Sequence, residues 1–209
     1  MRIYLIRHGR QDSRLCNVDV ELAKEGILQA KELAKRLMDY RIDAMYASDL
    51  LRSIQTADVL NTYLGNLNYR IRMELREIEF GELTGNSDEY NERVYGDFLR
   101  KRMEMKEDLR FPNGECGADV IHRVSKVLNE IIKSGKDRVV VVTHGGVIRS
   151  VVTHILSLPQ ERKLTFATTL ENTGITELRY EPETNQYYLE RFNDYAHLEG
   201  KEDLLRRNW

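Results

Sequence analysis

The sequence predicts an α/β fold of three layers, in which helices cover both faces of a mostly parallel central sheet. Segments with strand character and segments with helix character alternate along most of the chain. Such an alternation typically builds a parallel sheet, because each helix returns the chain to the end of the sheet where the next strand begins. The segment Arg138–Thr143 is a second indication, since its four consecutive valines are typical of a strand buried on both faces.

The first half of the chain contains two pairs of a strand and a helix. Strands show as short apolar runs, and helices show as apolar residues that recur three or four positions apart. On these signals we predict, in chain order, a strand over residues 2–6, a helix over 23–40, a strand over 42–47, a helix from Ser48-Asp49 to about Gly65, and a candidate strand over 69–75.

The second half of the chain continues the alternation and closes with a hairpin. We predict, in chain order, a helix over residues 118–133, a strand over 138–143, a helix to about Leu158, and paired strands over 175–180 and 187–192.

Residues 86–110 differ from the rest of the chain in composition. They are dense in charges of both signs and have only weak helical periodicity. We interpret them as a helical insertion over the edge of the sheet where ligands bind in this class of fold, within a single domain of residues 1–209. The charged tail beyond Glu199 is expected to be peripheral.

The composition is that of a globular protein without a general affinity for polyanions. Charged residues make up 32% of the 209 residues and hydrophobic ones 41%, yet the formal net charge is only −2. Because no broad basic field arises, neither nucleic acid nor a membrane is an expected partner. Cys16 and Cys116 are predicted to be free thiols, and without a signal segment the expected location is the cytoplasm.

Two of the predicted strands end in a histidine that is followed by glycine. The segments are Ile6-Arg7-His8-Gly9 and Val142-Thr143-His144-Gly145-Gly146. Ligands of open α/β sheets bind beyond the carboxyl ends of the strands, so parallel strands would bring both histidines to the ligand edge. Glycine lacks a Cβ atom and lets a ligand approach the backbone closely. His8 and His144 are therefore candidate site residues.

Three other charged residues are ambiguous on their own. Arg52 lies in the first turns of the predicted second helix, and Glu77 and Glu79 lie within residues 75–81. A solvent-exposed charge is the ordinary interpretation of each. In an extended segment Glu77 and Glu79 would share one face, so their spacing does not separate them.

Short segments distributed over nearly the whole chain form an ordered set that is more specific than any one of them. In chain order they are Arg7-His8-Gly9, Gly26 with Gln29-Ala30, residues 48–57, residues 75–81, Pro112-Asn113-Gly114-Glu115, residues 144–149, Asn172-Thr173-Gly174-Ile175, Asn193-Asp194 and His197-Leu198. The set resembles the histidine phosphatase superfamily, in the branch related to cofactor-dependent phosphoglycerate mutase.

The resemblance implies a catalytic role for five residues. His8 would be the nucleophile, Glu77 the proton donor, and Arg7, Arg52 and His144 the groups that hold the phosphoryl oxygens. Physical chemistry agrees, because arginine forks match phosphate oxygens, and neighbouring cations lower the pKa of a histidine and keep it neutral. No metal and no cofactor is expected.

The residues expected to bind substrate partly depart from the family pattern. Arg10 stands where relatives often carry Glu or Gln, and Arg14 stands where an Asn is common, so that Asn17 is the nearest asparagine. Arg10 and Arg14 could make the mouth of the pocket more positive. The insertion segment Arg100-Lys101-Arg102 could also reach a substrate. The expected substrate-binding set is Arg7, Arg52, His144, Gly145, Asn17 and Arg10.

Two further departures concern helix starts. Ala23 occupies the position of the usual threonine cap of the first helix, and a missing cap costs about 1 kcal/mol. Cys116 replaces the common serine after the Pro112-Asn113-Gly114-Glu115 turn.

The expected function is hydrolysis of the phosphate monoester of a small metabolite through a phosphohistidine on His8. The alternatives are a phosphoglycerate mutase, a catalytically silent phospho-ligand-binding regulatory protein, and a metal hydrolase that uses both histidines. The substrates that the family implies are sugar phosphates, phosphoglycerates, nucleotide-related phosphates and α-ribazole phosphate. A homodimer is an open alternative to a monomer.

Overall fold

Residues 1–206, which the computed structural model describes, fold around a six-stranded sheet. The strands are, in chain order, Arg2–Arg7 (β1), Ala44–Ala47 (β2), Arg70–Ile71 (β3), Arg138–Thr143 (β4), Ile175–Glu181 (β5) and Gln186–Asp194 (β6). Their order across the sheet is β3-β2-β4-β1-β5-β6. The first four of these are mutually parallel, whereas β5 and β6 are antiparallel to their neighbours. The predicted fold class and hairpin are confirmed.

The α-helices of the described chain lie between successive strands, with one helix in each connection up to β3, two between β3 and β4, and one between β4 and β5. They are, in order, Lys24–Leu37 (α1), Leu51–Tyr63 (α2), Asp88–Met103 (α3), Gly117–Lys133 (α4) and Gly145–Ile155 (α5). None of the helices within residues 1–206 has the length and apolar character that crossing a membrane requires.

The sheet separates two apolar cores, because successive side chains of a strand point to opposite faces. On one face Ile6 of β1 belongs to the same core as Leu33 of α1 and Leu60 of α2. On the other face Leu5 belongs to the core that contains Val124 of α4. Helices therefore cover both faces, as the buried valines of β4 required.

The register between β1 and β4 brings the two candidate histidines together. The strands are parallel neighbours, and Arg7 lies opposite Thr143. His8 and His144 are the next residues of each strand, and their ring centroids are 5.0 Å apart. The backbone N–H of His8 donates to the carbonyl oxygen of Thr143 at 3.0 Å, which extends the strand pairing to the histidine itself.

The predicted third strand is wrong beyond Ile71. Only Arg70 and Ile71 pair with β2, which ends at Ala47, and the last bond between the two segments is donated by the N–H of Arg72 to the carbonyl oxygen of Ala47 at 2.8 Å. The chain then enters a 3₁₀ turn over Met73–Leu75 and buries Leu75 in the core. The turn directs the following segment towards the ends of the neighbouring strands.

Three helix boundaries differ from the prediction by a few residues. α1 ends at Leu37 and is followed by a 3₁₀ turn over Met38–Tyr40, and α5 ends at Ile155. α2 begins at Leu51 because the hydroxyl of Ser48 accepts a hydrogen bond from the backbone N–H of Leu50, outside the helix.

The predicted helical insertion contains α3. Ser87 caps this helix by accepting a hydrogen bond from the backbone N–H of Tyr90 at 3.2 Å, and the helix is kinked at Tyr95. Phe98 packs on Phe111 with 5.4 Å between ring centroids. This contact fixes α3 against the body of the protein beside the candidate site.

The expectation of a peripheral tail is wrong for residues 204–206. Leu204 and Leu205 are buried. Their carbonyl oxygens accept hydrogen bonds from the side chains of Gln29 at 2.6 Å and Arg10 at 3.0 Å. The composition of the tail did not predict this burial, because the tail is mostly charged and only two leucines anchor it. Residues 207–209 lie outside the described part of the chain.

Candidate active site

His8 is held at the carboxyl end of β1 with one ring nitrogen turned towards the backbone. Its Nδ1 lies 2.7 Å from the carbonyl oxygen of Gly9. Because a carbonyl oxygen only accepts hydrogen bonds, Nδ1 carries the ring proton, and the lone pair of the neutral ring lies on Nε2. The amide of Asn172 donates to the carbonyl oxygen of His8 at 2.9 Å. Nε2 is therefore the nitrogen available for attack.

Arg52 reaches His8 from the second residue of α2. Its Nε–H donates a hydrogen bond to the lone pair of His8 Nε2 at 3.2 Å, and its side chain is almost fully buried. Its two terminal nitrogens donate to the carbonyl oxygen of Val18 at 2.9 Å and to Oδ1 of Asn17 at 2.8 Å. Asn17, which was expected to bind substrate, thus orients Arg52.

Arg7 is the last residue of β1 and is desolvated. One terminal nitrogen donates to the carbonyl oxygen of Leu170, and its buried Nε has no hydrogen-bond partner within residues 1–206. Burial, and then the charge of Arg206, lower the pKa of Arg7 to about 9. The guanidinium is still cationic at neutral pH and has a donor left for an anion.

His144 lies beside His8 at the start of α5 and is fully buried. Its Nε2 is 2.9 Å from the hydroxyl oxygen of Ser48, and its Nδ1 has no partner in the described chain. A hydroxyl can donate as well as accept. If Ser48 donates to Nε2, Nδ1 carries the ring proton and can donate to an anion next to His8.

The surroundings of both histidines favour the neutral ring. Burial is the largest cause, and the charge of Arg52 the second, that lower the pKa of His8 and that of His144 well below 6.5. Both rings are consequently neutral at neutral pH. A neutral ring is what a nucleophilic histidine needs, because only then does Nε2 keep its lone pair.

Glu77 is held by the amino end of α5. Its Oε1 accepts hydrogen bonds from the backbone N–H groups of Ile78 and Gly146, both at 2.9 Å, whereas Oε2 accepts only a longer one of 3.2 Å from Gly146. Oε2 is thus the carboxylate oxygen with fewer and longer hydrogen bonds. Glu79, the other candidate acid, is exposed and lines neither of the two cavities described below.

The predicted residues meet at a cavity of about 580 Å³. Arg7, His8, Arg52 and Glu77 all line it, whereas His144 does not line it but has its ring centroid 5.0 Å from that of His8. Other residues at the cavity include Arg14, Cys16, Asn17, Ser87, Asp88, Glu89 and Arg206.

Arg10 does not enter this cavity. Its backbone N–H donates to Oε1 of Gln29 at 2.8 Å, and its guanidinium donates to the carbonyl oxygen of Leu205. The side chain is buried on the side of α1 and fastens the tail. The expectation that Arg10 binds substrate is therefore wrong. The direction of the chain after Gly9 turns Arg10 away from His8.

The two cysteines are free, as predicted. Cys16 lies at the cavity, where burial raises the pKa of its thiol to about 11. It is therefore a thiol and not a thiolate at neutral pH, and it does not compete with His8 as a nucleophile.

Close backbone packing positions the segment that carries His8. A Cβ atom on Gly9 would lie only 2.6 Å from the carbonyl oxygen of Gly26, and one on Gly26 would overlap the backbone of Arg10. Only glycine fits at both positions, so the start of α1 can lie directly on the loop after β1. The N–H of Gly9 also donates to the hydroxyl of Thr56 at 3.0 Å.

A second cavity of about 240 Å³ adjoins the first and shares Arg7, Glu77, Phe80 and Arg206 with it. Its lining includes Gly145, as expected for a binding residue, and Arg102 of the insertion. It also includes cationic residues that the sequence did not indicate as site residues, Arg149, Lys163 and Arg206. Helical spacing from Gly145 could have pointed to Arg149, but nothing in the local sequence around Arg206 predicts its position.

The arrangement can bind and transfer a phosphoryl group. The buried guanidinium of Arg52 and the partly buried guanidinium of Arg7 lie beside a neutral imidazole, so a phosphate dianion would find charge and donors next to a nucleophile. Glu77 lies on the same cavity, where a leaving oxygen would need a proton. Within residues 1–206, no three His, Cys, Asp or Glu side chains are grouped so that they could hold a metal ion.

Known proteins are similar to the chain over nearly its whole length. A sequence profile described as histidine phosphatase superfamily (branch 1) matches residues 3–194. A probable phosphatase of Schizosaccharomyces pombe is 31% identical, with 97% of each chain covered. Phosphoglycerate mutase-like protein 4 of Arabidopsis thaliana is 29% identical, with 94% of this chain and 86% of that protein covered.

A solved structure agrees with these matches. A mycobacterial glucosyl-3-phosphoglycerate phosphatase in complex with VO3 superimposes with a TM-score of 0.82 at 27% identity, covering 92% of this chain and 99% of that one. The predicted family and the predicted enzyme class, a phosphoric monoester hydrolase, are both confirmed. The chain belongs to branch 1 of the histidine phosphatase superfamily.

Proposed function

We propose that the protein hydrolyses phosphate monoesters of small metabolites through a phosphohistidine formed on His8. The observation that carries the proposal is the orientation of the His8 ring. Nδ1 is bound to the carbonyl oxygen of Gly9, so the lone pair is on Nε2, beside Arg52. A buried, neutral and oriented imidazole next to cations is suited to attack a phosphate dianion.

In the first step, the lone pair of His8 Nε2 forms a bond to phosphorus and the bond between phosphorus and the ester oxygen breaks. Arg7, Arg52 and His144 hold the three non-bridging oxygens, where charge is concentrated. Glu77 donates a proton, from Oε2, to the departing oxygen. The Nδ1–H bond to Gly9 stabilises the positive charge that develops on the ring.

In the second step, water replaces the departed alcohol. Glu77, now a carboxylate, takes a proton from the water as its oxygen attacks phosphorus. The bond between Nε2 and phosphorus breaks, the pair of electrons returns to the ring, and inorganic phosphate leaves. His8 is neutral again and Glu77 is protonated for the next turnover.

Release of inorganic phosphate tests the proposal directly. The measurement covers p-nitrophenyl phosphate and a panel of phosphorylated metabolites at mildly acidic pH. We expect His8→Ala to lose at least about a thousandfold in kcat, because the covalent route is removed. His154→Ala is the matched control, since His154 is an exposed histidine on α5. Rapid quenching of the wild-type enzyme should trap an acid-labile, alkali-stable phosphate on His8.

Equal activity of the His8→Ala and wild-type proteins would refute the covalent mechanism. Absence of turnover on every substrate, with retained binding of phosphate esters, would instead support the silent phospho-ligand-binding protein. Loss of activity in excess chelator would support the metal hydrolase.

A phosphoglycerate mutase is the second candidate because a relative of 29% identity, from an Enterobacter species, is described as a probable phosphoglycerate mutase. A mutase retains the phosphoryl group on its histidine and returns it to the substrate. The two activities separate when 3-phosphoglycerate is supplied and both free phosphate and 2-phosphoglycerate are measured. We expect phosphate as the main product, and isomerisation with little free phosphate would overturn the hydrolase proposal. Light scattering on the same preparation tells a monomer from a homodimer.

A further inference from the structure

A loop holds the last part of β1 on the side that faces β5. This loop, residues 171–174, leads directly into β5. The N–H of Thr173 donates to the carbonyl oxygen of Arg7 at 2.9 Å. The side-chain amide of Asn172 donates to the carbonyl oxygen of His8, also at 2.9 Å. The main-chain positions of two catalytic residues therefore depend on the position of this loop.

Thr173 has an unusual backbone conformation within the loop. Its φ is 58°, in the left-handed region that β-branched residues rarely adopt, and the residue is fully buried. Such a conformation persists only where the surrounding structure holds it. The N–H of Thr173 is bound to Arg7, so the side-chain hydroxyl is the second group through which contacts can fix this residue.

The hydroxyl of Thr173 is in contact with His197. Nε2 of His197 lies 3.0 Å from Oγ1 of Thr173. Oγ1 gives its single proton to the carbonyl oxygen of Asn172 at 2.7 Å, so it accepts the bond from His197, and Nε2 carries the ring proton. Nδ1 is buried without a partner within residues 1–206, and burial lowers the pKa of His197 to about 4. The ring is therefore neutral at neutral pH and donates its one N–H to Thr173.

The fold fixes His197 from the other side. The residue lies in a 3₁₀ turn over Ala196–Leu198, shortly after β6, and Leu198 is buried in a small apolar cluster with the tail. The carbonyl oxygen of His197 accepts a hydrogen bond from Nζ of Lys201 at 3.2 Å. His197 is thus a donor of fixed position, against which Thr173 is placed.

We propose that His197 is a positioning residue, which acts through Thr173 on the main chain of Arg7 and His8 and so determines where the nucleophile lies. The hydrolytic mechanism above uses neither His197 nor Thr173. The proposal rests on the proposed function, because it concerns the nucleophile of that reaction. Displacing a reacting atom by about 1 Å can cost on the order of a hundredfold in rate, so a bond outside the cavity can control turnover.

Substitutions of His197 separate its donor from its bulk. His197→Leu removes the N–H donor, whereas His197→Gln places an amide N–H at about the position of Nε2. We expect His197→Leu to lower kcat for p-nitrophenyl phosphate at least about tenfold, with KM changed less than about twofold, and His197→Gln to restore kcat to within about threefold of the wild type. His154→Leu is the control and should leave kcat unchanged, since His154 is exposed on α5.

Thr173 provides an independent test if His197→Leu does not fold. Thr173→Val removes the hydroxyl and should lower kcat as His197→Leu does, whereas Thr173→Ser keeps the hydroxyl and should not. The double variant His197→Leu with Thr173→Val should lose no more than about twofold beyond the larger single loss, because both substitutions remove the same hydrogen bond. Additive losses, or wild-type kcat in both single variants, would overturn the proposal.

Nuclear magnetic resonance gives a readout that does not require turnover. Proton–nitrogen correlation spectra of protein labelled at the histidine ring nitrogens report which nitrogen carries the proton, and His8→Ala and His197→Leu assign the signals. We expect Nε2–H for His197 and Nδ1–H for His8. The His8 signals should shift in His197→Leu and stay in place in His197→Gln. They should also stay in place in Ile131→Val, which destabilises the core from the last turn of α4.

The same spectra separate this proposal from the proposed function. Unchanged His8 signals in His197→Leu would overturn the positioning role, whether or not the protein is a hydrolase. Shifted His8 signals in a wild-type protein series that releases no phosphate from any ester would support the positioning role and refute the hydrolase.

Discussion

His8 is a base whose affinity for protons is reduced by its surroundings. Burial, Arg52 and Arg7 lower its pKa well below 6.5, in that order of importance. We therefore expect kcat/KM, corrected for ionisation of the substrate, to stay level as pH falls from about 7 to about 6, where an ordinary histidine would become protonated. A profile of kcat/KM against pH checks this, and an acid limb centred near 6.5 would contradict it.

Glu77 should matter most for substrates with poor leaving groups. We expect Glu77→Gln to lower kcat/KM by at least about a hundredfold for an alkyl phosphate, and much less for p-nitrophenyl phosphate, whose leaving group needs no proton. Glu79→Gln is the control, because Glu79 is exposed and outside both cavities. Equal losses on both substrates would argue against a proton donor at Glu77.

Gly146→Ala gives a second test of the same role. An added Cβ atom would overlap Oε1 of Glu77, and would lie 2.8 Å from Cγ2 of Ile78. The carboxylate must then move, and the alkyl phosphate should again lose more activity than p-nitrophenyl phosphate. Unchanged selectivity between the two substrates in this variant would mean that the position of Glu77 is not critical.

At the scale of single residues, the sequence predicted those site residues whose positions follow from strand register. His8 and His144 are adjacent because β1 and β4 are parallel neighbours, which end-of-strand motifs anticipate. Arg10 and Glu79 could not be placed in this way. Their orientation depends on the direction of a loop, and that direction is set by contacts with α1 and with residues 111–115.

The start of α1 was predicted from the sequence to lack a side-chain cap. Ala23 is its N-cap, has an extended backbone conformation, and makes no side-chain capping bond, as expected. We predict that Ala23→Ser raises the free energy of unfolding by about 1 kcal/mol, because a hydroxyl can accept an N–H of the first turn.

Urea unfolding measures this change. Ser87→Ala at the start of α3 is the reciprocal control and should lower the free energy of unfolding by a similar amount, since Ser87 does cap its helix. A shift of either variant in the opposite direction would show that capping does not decide stability at that end.

At the scale of elements, helices with a strong apolar face were predicted well and short edge elements were not. α4 buries Val120, Val124 and Val127 on one face and starts within one residue of the predicted position. β3 consists of only two paired residues because its neighbour β2 is itself short. The length of β3 is therefore set by its partner strand β2 and not by the residues of β3 itself.

The molecule as a whole should lose stability in mild acid. Burial lowers the pKa of His197 from 6.5 to about 4, and the pKa values of His8 and His144 are lowered too. The unfolded chain binds protons at these histidines first, so the stabilising contribution is present above pH 6.5 and is lost as pH falls towards 4. For His197 the full loss is of order 3 kcal/mol.

Urea midpoints at pH 7 and pH 5 measure this effect. His197→Gln should reduce the difference between the two midpoints, since Gln does not titrate. The exposed His154 provides the control, because His154→Gln should leave the difference unchanged. If the difference between the midpoints at pH 7 and pH 5 is the same in the wild type, His197→Gln and His154→Gln, the assignment of the acid sensitivity to His197 is refuted. The prediction of a single domain, which requires one cooperative transition, is examined in the same experiment.

The second cavity was beyond prediction from sequence because it is assembled from distant parts of the chain. Arg102 comes from α3, Arg149 from α5 and Arg206 from the tail. Arg102 lies in a segment that was expected to be able to reach a substrate, and Arg149 lies in the segment 144–149, but no local pattern indicates that the two meet or that Arg206 joins them. Their proximity depends on the kinked path of α3 and on the anchoring of Leu204 and Leu205.

The position of β1 in the middle of the sheet has a consequence for biosynthesis. This strand is synthesised well before both of its partners, β4 and β5, which lie far downstream in the chain. Until then the strand that carries the nucleophile has no hydrogen-bonded neighbour, and such long-range pairing is slow to form. The nascent chain therefore remains catalytically incompetent, and exposed to misfolding, until β4 and β5 have been synthesised.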